Sequence, residues 1–274
     1  MKLRGCVTMD VYGRSEYGEG AALLKIASST RYGRVAFAVL CDGPEEEESQ
    51  GEAATIAAEY LEKWFLKEFP QILKEAELSL INCSENGMKA RVITEVLRYE
   101  DRALSYSTRV FHAAKEQVKE GLKQLVTEIN IRIAGRGRLT GRNMKAVVAT
   151  LLVMGGEYLL MRVGSPVAFL SDCDQLRKLS GVHQQEGAET VCLGKTQIVE
   201  PVFIQGEMET GSGLLLCSSR FVRLQDYKYL QKRLRHVGNC SERKMDRILR
   251  AMTKSIRKKG EKKDVYAICL ACTE

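Results

Sequence analysis

The sequence is poor in proline, histidine and tryptophan, and it lacks any long apolar run. It has four prolines, three histidines and one tryptophan in 274 residues. The longest apolar stretch, 146–154, is interrupted by Thr150 and falls far short of the ~18 residues that a membrane helix needs. We therefore predict no membrane span. The first twenty residues are rich in charge and lack the apolar block of a secretory signal, so we expect a cytoplasmic location.

The scarcity of histidine also limits the catalytic chemistry that the chain can support. His112, His183 and His236 are far apart in the sequence, so they indicate neither a nucleophile with its base nor a metal site. The nine cysteines are an odd number and lie mostly in apolar segments, which is typical of reduced core thiols. Cys269 and Cys272 form a Cys-x-x-Cys pair, but on a strand their side chains point to opposite faces. We expect no redox or metal role for them.

Positive charge is abundant near the C-terminal end of the sequence. The formal net charge is +7, in a composition that is 45% apolar and 28% charged, as in an ordinary globular protein. A basic helix face is most often solvated surface, but it also suits a phosphorylated or other anionic partner. Aromatic residues are not interleaved with the basic ones, so we expect no nucleic acid partner. The basic residues concerned are Lys232, Arg233, Arg235, Arg243, Lys244, Arg247, Arg250, Lys254, Arg257, Lys258, Lys259, Lys262 and Lys263.

Apolar periodicity predicts helices in three parts of the chain. Residues 51–69 have apolar side chains three and four positions apart, which predicts an amphipathic helix that ends near Pro70. Residues 91–133 repeat this spacing, and Gly135 marks the expected end of that helix. Polar helices are expected within 225–259. The apolar stripe of the second helix is Val118, Leu122, Leu125, Ile129 and Ile133.

Short apolar, partly β-branched runs bounded by turn residues predict the strands. Glycines separate the middle runs, which is typical of an antiparallel meander. Regular alternation of single strands with helices is absent, so we expect an antiparallel α+β fold. We expect one domain spanning 1–274, with a helical insertion around residues 80–113. The predicted strands are 21–25, 35–40, 146–154, 158–163, 167–170, 197–204, 213–217 and 265–270.

Four segments, in this order, are similar to motifs of one known family. Residues 35–43, VAFAVLCDG, and then GEAAT at 51–55 are similar to its strand ending in Asp-Gly and to the helix start that follows. Residues 147–180 are similar to its Thr-Thr-Leu strand, hairpin and Val-Gly-Asp-Ser segment. GSGLLLCSSRF at 211–221 and GEKKDVYAICL at 260–270 are similar to its Ser-Asp-Gly and closing Asp-Asn segments. The chain thus resembles, over nearly its whole length, the metal-dependent protein phosphatases (PPM or protein phosphatase 2C), and bacterial members most closely.

This resemblance implies both a fold and a chemistry. The implied fold is an α-β-β-α sandwich, with two packed antiparallel sheets flanked by helices. The implied chemistry is serine/threonine protein phosphatase activity, in which carboxylates at strand ends hold two Mg²⁺ or Mn²⁺ ions that activate a hydroxide. An arginine near the N-terminus holds the phosphate. At the matching positions, the chain keeps Arg14 for the phosphate and Glu19, Asp42 and Gly43 of the metal site.

Several other metal-site positions have lost their carboxylates. Arg220 replaces a glycine of the Ser-Asp-Gly motif. A cationic side chain at a ligand position adds positive charge where divalent ions would bind, so it opposes their binding. The substitutions therefore predict a degenerate site with no intact catalytic set and no bound metal. The positions where the family has aspartate are Gly20, Ser165, Ser219 and Lys263.

One alternative is a rebuilt metal site. Asp264 could substitute for Lys263, and the Glu45–Glu48 run could add ligands beside Asp42 and Glu19. In a strand, however, a shift of one residue places a side chain on the opposite face. The four glutamates also suit a solvated stretch near the positive end of the following helix.

Three functions remain open at the level of the sequence. The main hypothesis is a pseudophosphatase, a PPM-like signalling domain without turnover that binds or regulates a phosphorylated partner. Arg14, Arg220 and Lys263 would then bind an anion without metal. The first alternative is an active metal-dependent serine/threonine phosphatase with an altered ligand set. The second is an interaction scaffold that uses the basic C-terminal helices, because fold alone does not decide function.

Overall fold

The computed structural model describes residues 2–12, 20–44, 51–85, 106–172, 175–179 and 191–273, and antiparallel strands form its centre. The strands are β1 (Lys2–Asp10), β2 (Ala21–Ser29), β3 (Gly33–Asp42), β4 (Val147–Met154), β5 (Glu157–Val163), β6 (Val167–Asp172), β7 (Gln175–Leu179), β8 (Val202–Glu207), β9 (Gly213–Cys217) and β10 (Val265–Thr273). They form two five-stranded sheets. The first has the order β1-β10-β9-β6-β7, and the second has the order β2-β3-β4-β5-β8.

Helices cover the outer face of each sheet. They are α1 (Glu52–Lys67), α2 (Phe69–Glu85), α3 (Tyr106–Thr140), α4 (Ser219–Arg223), α5 (Tyr227–Leu234) and α6 (Glu242–Lys258), with a short 3-10 helix at Val237–Asn239. The first three pack on the second sheet, and the last three pack on the first sheet. The predicted α-β-β-α sandwich is therefore confirmed. Within the described residues, no helix is both long and apolar enough to span a membrane.

The sequence of β3 shows why the layers form. All residues from Val35 to Asp42 are buried, so both faces of this strand meet other layers. Alternate residues such as Phe37 pack under the helices, while Ala38 and its inward-facing neighbours pack against the first sheet. The Phe37 ring stacks on Phe65 of α1 at 4.6 Å between centroids. A two-sided apolar strand of this kind needs a layer on each face.

The predicted helices occur with shifted ends. The apolar stripe of α3 is buried as expected, but α3 continues through Gly135 to Thr140, so the predicted end is wrong. The cause is tertiary packing, which outweighs the ~1 kcal/mol helix penalty of a glycine. The first predicted helix ends near Pro70, as expected, because α1 ends at Lys67. Pro70 itself is the second residue of α2, in the first turn, where its missing N–H has no helical partner to lose. Residues 86–105, part of the predicted insertion, lie outside the described residues.

The strand predictions hold best where a strand is buried on both faces. The predicted strand at 197–204 is shifted to β8, which is an edge strand with exposed side chains. Two further edge strands, β1 and β7, were not predicted, because their sequences contain few β-branched or aromatic residues. On β10, Cys269 packs under the helices and Cys272 packs between the sheets, as the opposite-face argument predicts.

Candidate functional site

One end of the sandwich gathers the residues that the resemblance singles out. Asp42 ends β3, and Gly20 directly precedes β2, whose first residue pairs with the neighbour of Asp42. Arg220 lies in α4, shortly after β9 ends, and Asp264 directly precedes β10. In an antiparallel sheet, the end of one strand lies beside the start of its neighbour. These four residues therefore lie at the same end of the sandwich. The fold therefore brings together residues that are more than two hundred positions apart in sequence, as for Gly20 and Tyr266.

Asp42 is paired with the buried guanidinium of Arg220. The Arg220 Nη1 lies 3.3 Å from Asp42 Oδ1, and Nη2 donates to the carbonyl of Pro44 at 3.2 Å. Arg220 is 1% exposed and Asp42 is 2% exposed. The same Asp42 oxygen accepts the N–H of Gly43 at 2.8 Å. A cation built into the chain thus already neutralises the carboxylate that the resemblance identifies as a metal ligand.

This placement changes the role that the sequence suggested for Arg220. The guanidinium faces an internal carboxylate and a carbonyl, and almost none of it reaches solvent. An incoming phosphate would have to displace Asp42 to reach it. Arg220 therefore serves as a counter-ion, which disfavours the predicted direct binding of an anion by this side chain.

Tyr266 joins the second buried carboxylate to the start of β2. Its hydroxyl donates to Asp264 Oδ2 at 2.9 Å and accepts the N–H of Gly20 at 2.7 Å. The other oxygen of Asp264 accepts the N–H of Tyr12 at 2.7 Å. Burial, followed by the hydrogen bond and negative charge of Asp264 and the charge of Asp42, raises the pKa of Tyr266. The hydroxyl therefore remains a donor at ordinary pH.

Asp264, and not Lys263, is the residue that the fold buries at this edge. Asp264 is 2% exposed and lies two residues before Tyr266, so both side chains face the site. Lys263 is partly exposed, its N–H donates to Glu261 and its carbonyl accepts from Arg257. The structure thus places the Asp264 side chain beside Tyr266.

The surroundings of Gly20 leave no room for a carboxylate there. A Cβ added to Gly20 would come within 2.6 Å of the Cys41 carbonyl and 2.7 Å of the Tyr266 ring. Both contacts are shorter than Cβ atoms tolerate, and one of them is to backbone. The Tyr266 ring thus fills space that an aspartate side chain would need. Gly20 is therefore required here both by the ring of Tyr266 and by the carbonyl of Cys41.

The other positions singled out by the resemblance lie in a turn, in a helix or outside the described residues. Ser165 lies in the turn between β5 and β6, where Gly164 packs against Val147, the residue paired with Asp42. Ser219 is the first residue of α4 and is partly exposed. Arg14, Glu19 and Glu45–Glu48 lie outside the described residues, so their predicted roles stay predictions.

The described part of the site does not fit a pair of divalent ions. It contributes two carboxylates, Asp42 and Asp264, and a guanidinium rests on the first of them. Among the residues that the structure describes, no group of three or more His, Cys, Asp or Glu side chains could hold a metal. Hard divalent cations need several oxygen ligands. Two carboxylates, one of them paired with a guanidinium, are fewer oxygen ligands than a pair of such ions needs.

The described fold is that of PPM-type serine/threonine phosphatases. Staphylococcus aureus phosphatase Stp1 is 14% identical, with a TM-score of 0.68 over 100% of this chain and 96% of that one. PppA, described as a key regulatory component of T6SS in Pseudomonas aeruginosa, is 14% identical, with a TM-score of 0.64 over 99% and 98%. The catalytic domain of phosphatase PstP, solved with two manganese ions, is 14% identical, with a TM-score of 0.58 over 99% of each chain.

These similarities establish the fold alone. No protein-family model matches the chain, and no curated protein sequence matches it. The predicted resemblance to bacterial PPM phosphatases is confirmed at the level of the fold. Sequence reasoning missed Tyr266, Tyr12 and Arg257, which shape the site. The available signal was Tyr266 itself, a residue with a polar hydroxyl at the second position of the largely apolar strand β10.

Replacing Tyr266 by phenylalanine tests the hydroxyl bridge. We expect the free energy of unfolding to fall by about 1–2 kcal/mol, because the buried Asp264 loses a donor and the N–H of Gly20 loses its acceptor. Urea denaturation measures the loss. The matched control is Tyr229→Phe, on the partly buried face of α5, for which we expect less than about 0.5 kcal/mol. Equal losses in the two variants would show that the bridge contributes nothing.

Proposed function

We propose that this protein is a pseudophosphatase, a PPM-type domain without turnover that binds and regulates a phosphorylated or regulatory protein. The observation that supports it is the ion pair between Arg220 and Asp42. At an effective dielectric constant of about 20 and a separation of about 4 Å, a guanidinium repels a divalent ion by roughly 8 kcal/mol. Metal binding at Asp42 must overcome this repulsion or first expel a buried side chain.

Two further features support the loss of turnover. The Tyr266 ring occupies the space next to Gly20, so a metal-binding side chain has no room at that position. Ser165 and Ser219 have neutral hydroxyls, which are weak ligands for Mg²⁺ and Mn²⁺ compared with carboxylates. PppA has the same fold and is described as a regulatory component, so a regulatory role is compatible with this fold. Arg14 remains the side chain that we propose for holding a phosphate.

A second candidate is an active phosphatase with an altered ligand set. The position of Asp264 favours it, because this carboxylate lies at the same end of the sandwich as Asp42. The negative charges of both carboxylates raise the pKa of Tyr266. With Glu19 they would make up an acidic set for Mn²⁺ or Mg²⁺. This arrangement needs Arg220 to leave Asp42, and the burial of both side chains opposes that movement.

A phosphatase assay separates the two candidates. We expect the purified protein to hydrolyse para-nitrophenyl phosphate and a phosphoserine peptide no faster in millimolar Mn²⁺ than with a chelator. Its rate should equal that of Asp42→Asn, and Stp1 serves as the active reference. Calorimetric titration should detect no Mn²⁺ binding. Turnover that requires Mn²⁺ and disappears in Asp42→Asn would reject the pseudophosphatase and support the active enzyme.

A further inference from the structure

Helix α6 presents a continuous line of basic side chains to solvent. Five basic residues between positions 243 and 258 are spaced by four, three, four and four residues, so they lie on one face of the α-helix. The line is about 22 Å long at a rise of ~1.5 Å per residue. All its members are exposed. This α6 basic stripe consists of Arg243, Arg247, Arg250, Lys254 and Lys258.

The opposite face of α6 is fixed to the first sheet. Its apolar side chains Met245, Leu249, Met252 and Ile256 are each at most 1% exposed. An amphipathic helix binds a membrane through its apolar face, and here that face is already used in the core. The stripe therefore offers charge without an apolar surface on the same helix, which disfavours a lipid partner.

Most of the stripe lacks a counter-ion within the part of the chain that the structure describes. Arg250 pairs with Asp246 at 2.8 Å. Across the described ranges, no carboxylate lies within ion-pair distance of Arg243, Arg247, Lys254 or Lys258. Arg247 instead directs its Nε to the Arg243 carbonyl, at 3.4 Å. Unneutralised like charges along one helix face repel each other, so an acidic ligand would lower the energy of this surface.

The C-terminal end of the stripe adjoins the edge of the sandwich where the candidate site lies. Arg257, next to Lys258, binds Asp10 and lies over the Tyr12 ring at 5.1 Å. The N–H of Tyr12 donates to Asp264 of the site. Tyr12 is 50% exposed and Val11 is 44% exposed, so apolar surface continues from the stripe toward the site. A polypeptide could contact both the charges and this apolar surface.

We propose that the α6 basic stripe is a docking site for an acidic segment of a partner protein. Regularly spaced Asp or Glu side chains would pair with the arginines and lysines, and an apolar side chain at one end of the segment would pack on Val11 and Tyr12. The stripe carries no aromatic side chain on which bases could stack, which favours protein over nucleic acid. This docking does not require the candidate site to bind anything, so it stands apart from the proposed function.

Charge reversal in the middle of the stripe tests the proposal. The probe is a fluorescein-labelled glutamate-rich peptide long enough to span α6, measured by anisotropy at low and physiological salt. We expect Arg247→Glu with Lys254→Glu to weaken binding roughly tenfold or more. The matched control is Lys123→Glu with Arg132→Glu on α3, which makes the same change of charge on exposed residues of the opposite layer. That control should change affinity less than about twofold.

Folding and ligand specificity are measured on the same variants. Thermal unfolding should show that both double variants fold, and Arg247→Gln with Lys254→Gln gives a milder change that should weaken binding in the same direction. Equal loss in the α3 control would show attraction to net charge alone and would overturn the proposal. Tighter binding of duplex DNA or phosphatidylserine vesicles than of the peptide would also overturn it. Binding that survives in Asp42→Asn would separate docking from the candidate site.

Discussion

Replacing Arg220 by alanine is expected to lower the free energy of unfolding by about 3–5 kcal/mol. The substitution removes the cation from Asp42, which stays buried with 2% of its surface exposed. It also removes the donor to the Pro44 carbonyl. A buried carboxylate without its counter-ion costs more than the pair contributed, so the loss exceeds that of an ordinary truncation. Urea denaturation followed by circular dichroism measures it.

Two controls separate the ion pair from side-chain size. Arg223→Ala lies on the same helix but changes an arginine whose side chain is 50% exposed. Its partner Glu261 is buried but keeps the N–H donors of Lys262 and Lys263, so we expect a loss of about 1–2 kcal/mol, below that of Arg220→Ala. Arg220→Met with Asp42→Asn removes both charges and should recover part of the loss. If the double change loses the sum of the two single changes, the residues are not coupled. The role of Arg220 as counter-ion would then be wrong.

Replacing Arg257 by alanine is expected to cost about 2–4 kcal/mol. Its guanidinium joins three segments: it contacts Asp10 Oδ2 at 2.5 Å and donates to the carbonyls of Asp10, Glu261 and Lys263 at 2.7, 3.0 and 2.7 Å. These bonds hold the end of β1 and the turn before β10, which position Tyr12 and Asp264. The substitution should therefore loosen the candidate site as well as the fold. Hydrogen exchange at the N–H of Tyr12 reports that second effect.

The neighbouring residue provides the control for Arg257. Lys258→Ala removes an exposed cation from the next position of α6 and should change stability by less than about 0.5 kcal/mol. Arg257→Lys keeps the charge but cannot make the same fork of hydrogen bonds, so it should recover less than half of the loss. Similar stability of Arg257→Ala and Lys258→Ala would mean that these hydrogen bonds do not hold the segments together.

The sequence predicted the buried elements better than the edges. The strand at 35–40 and the helix at 51–69 have strong apolar patterns, and both occur as β3 and α1. The edge strands β1, β7 and β8 were missed or shifted, because their sequences have fewer apolar residues than strands that are buried on both faces. Gly135 misled the prediction of the end of α3, because packing along a long helix outweighs one weak residue.

The local patterns of the sequence predicted an antiparallel α+β fold. The resemblance to PPM phosphatases added the sandwich and the positions at which we predict that carboxylates have been replaced. Tertiary structure alone decided that Arg220 neutralises Asp42, although 178 positions separate them. It also decided that Asp264, rather than Lys263, faces the site and that Tyr266 fills the space beside Gly20. Periodicity tells which face a side chain occupies. Which side chains contact each other at the end of the sandwich depends on how strand ends that are distant in sequence come together. No local sequence pattern contains that information.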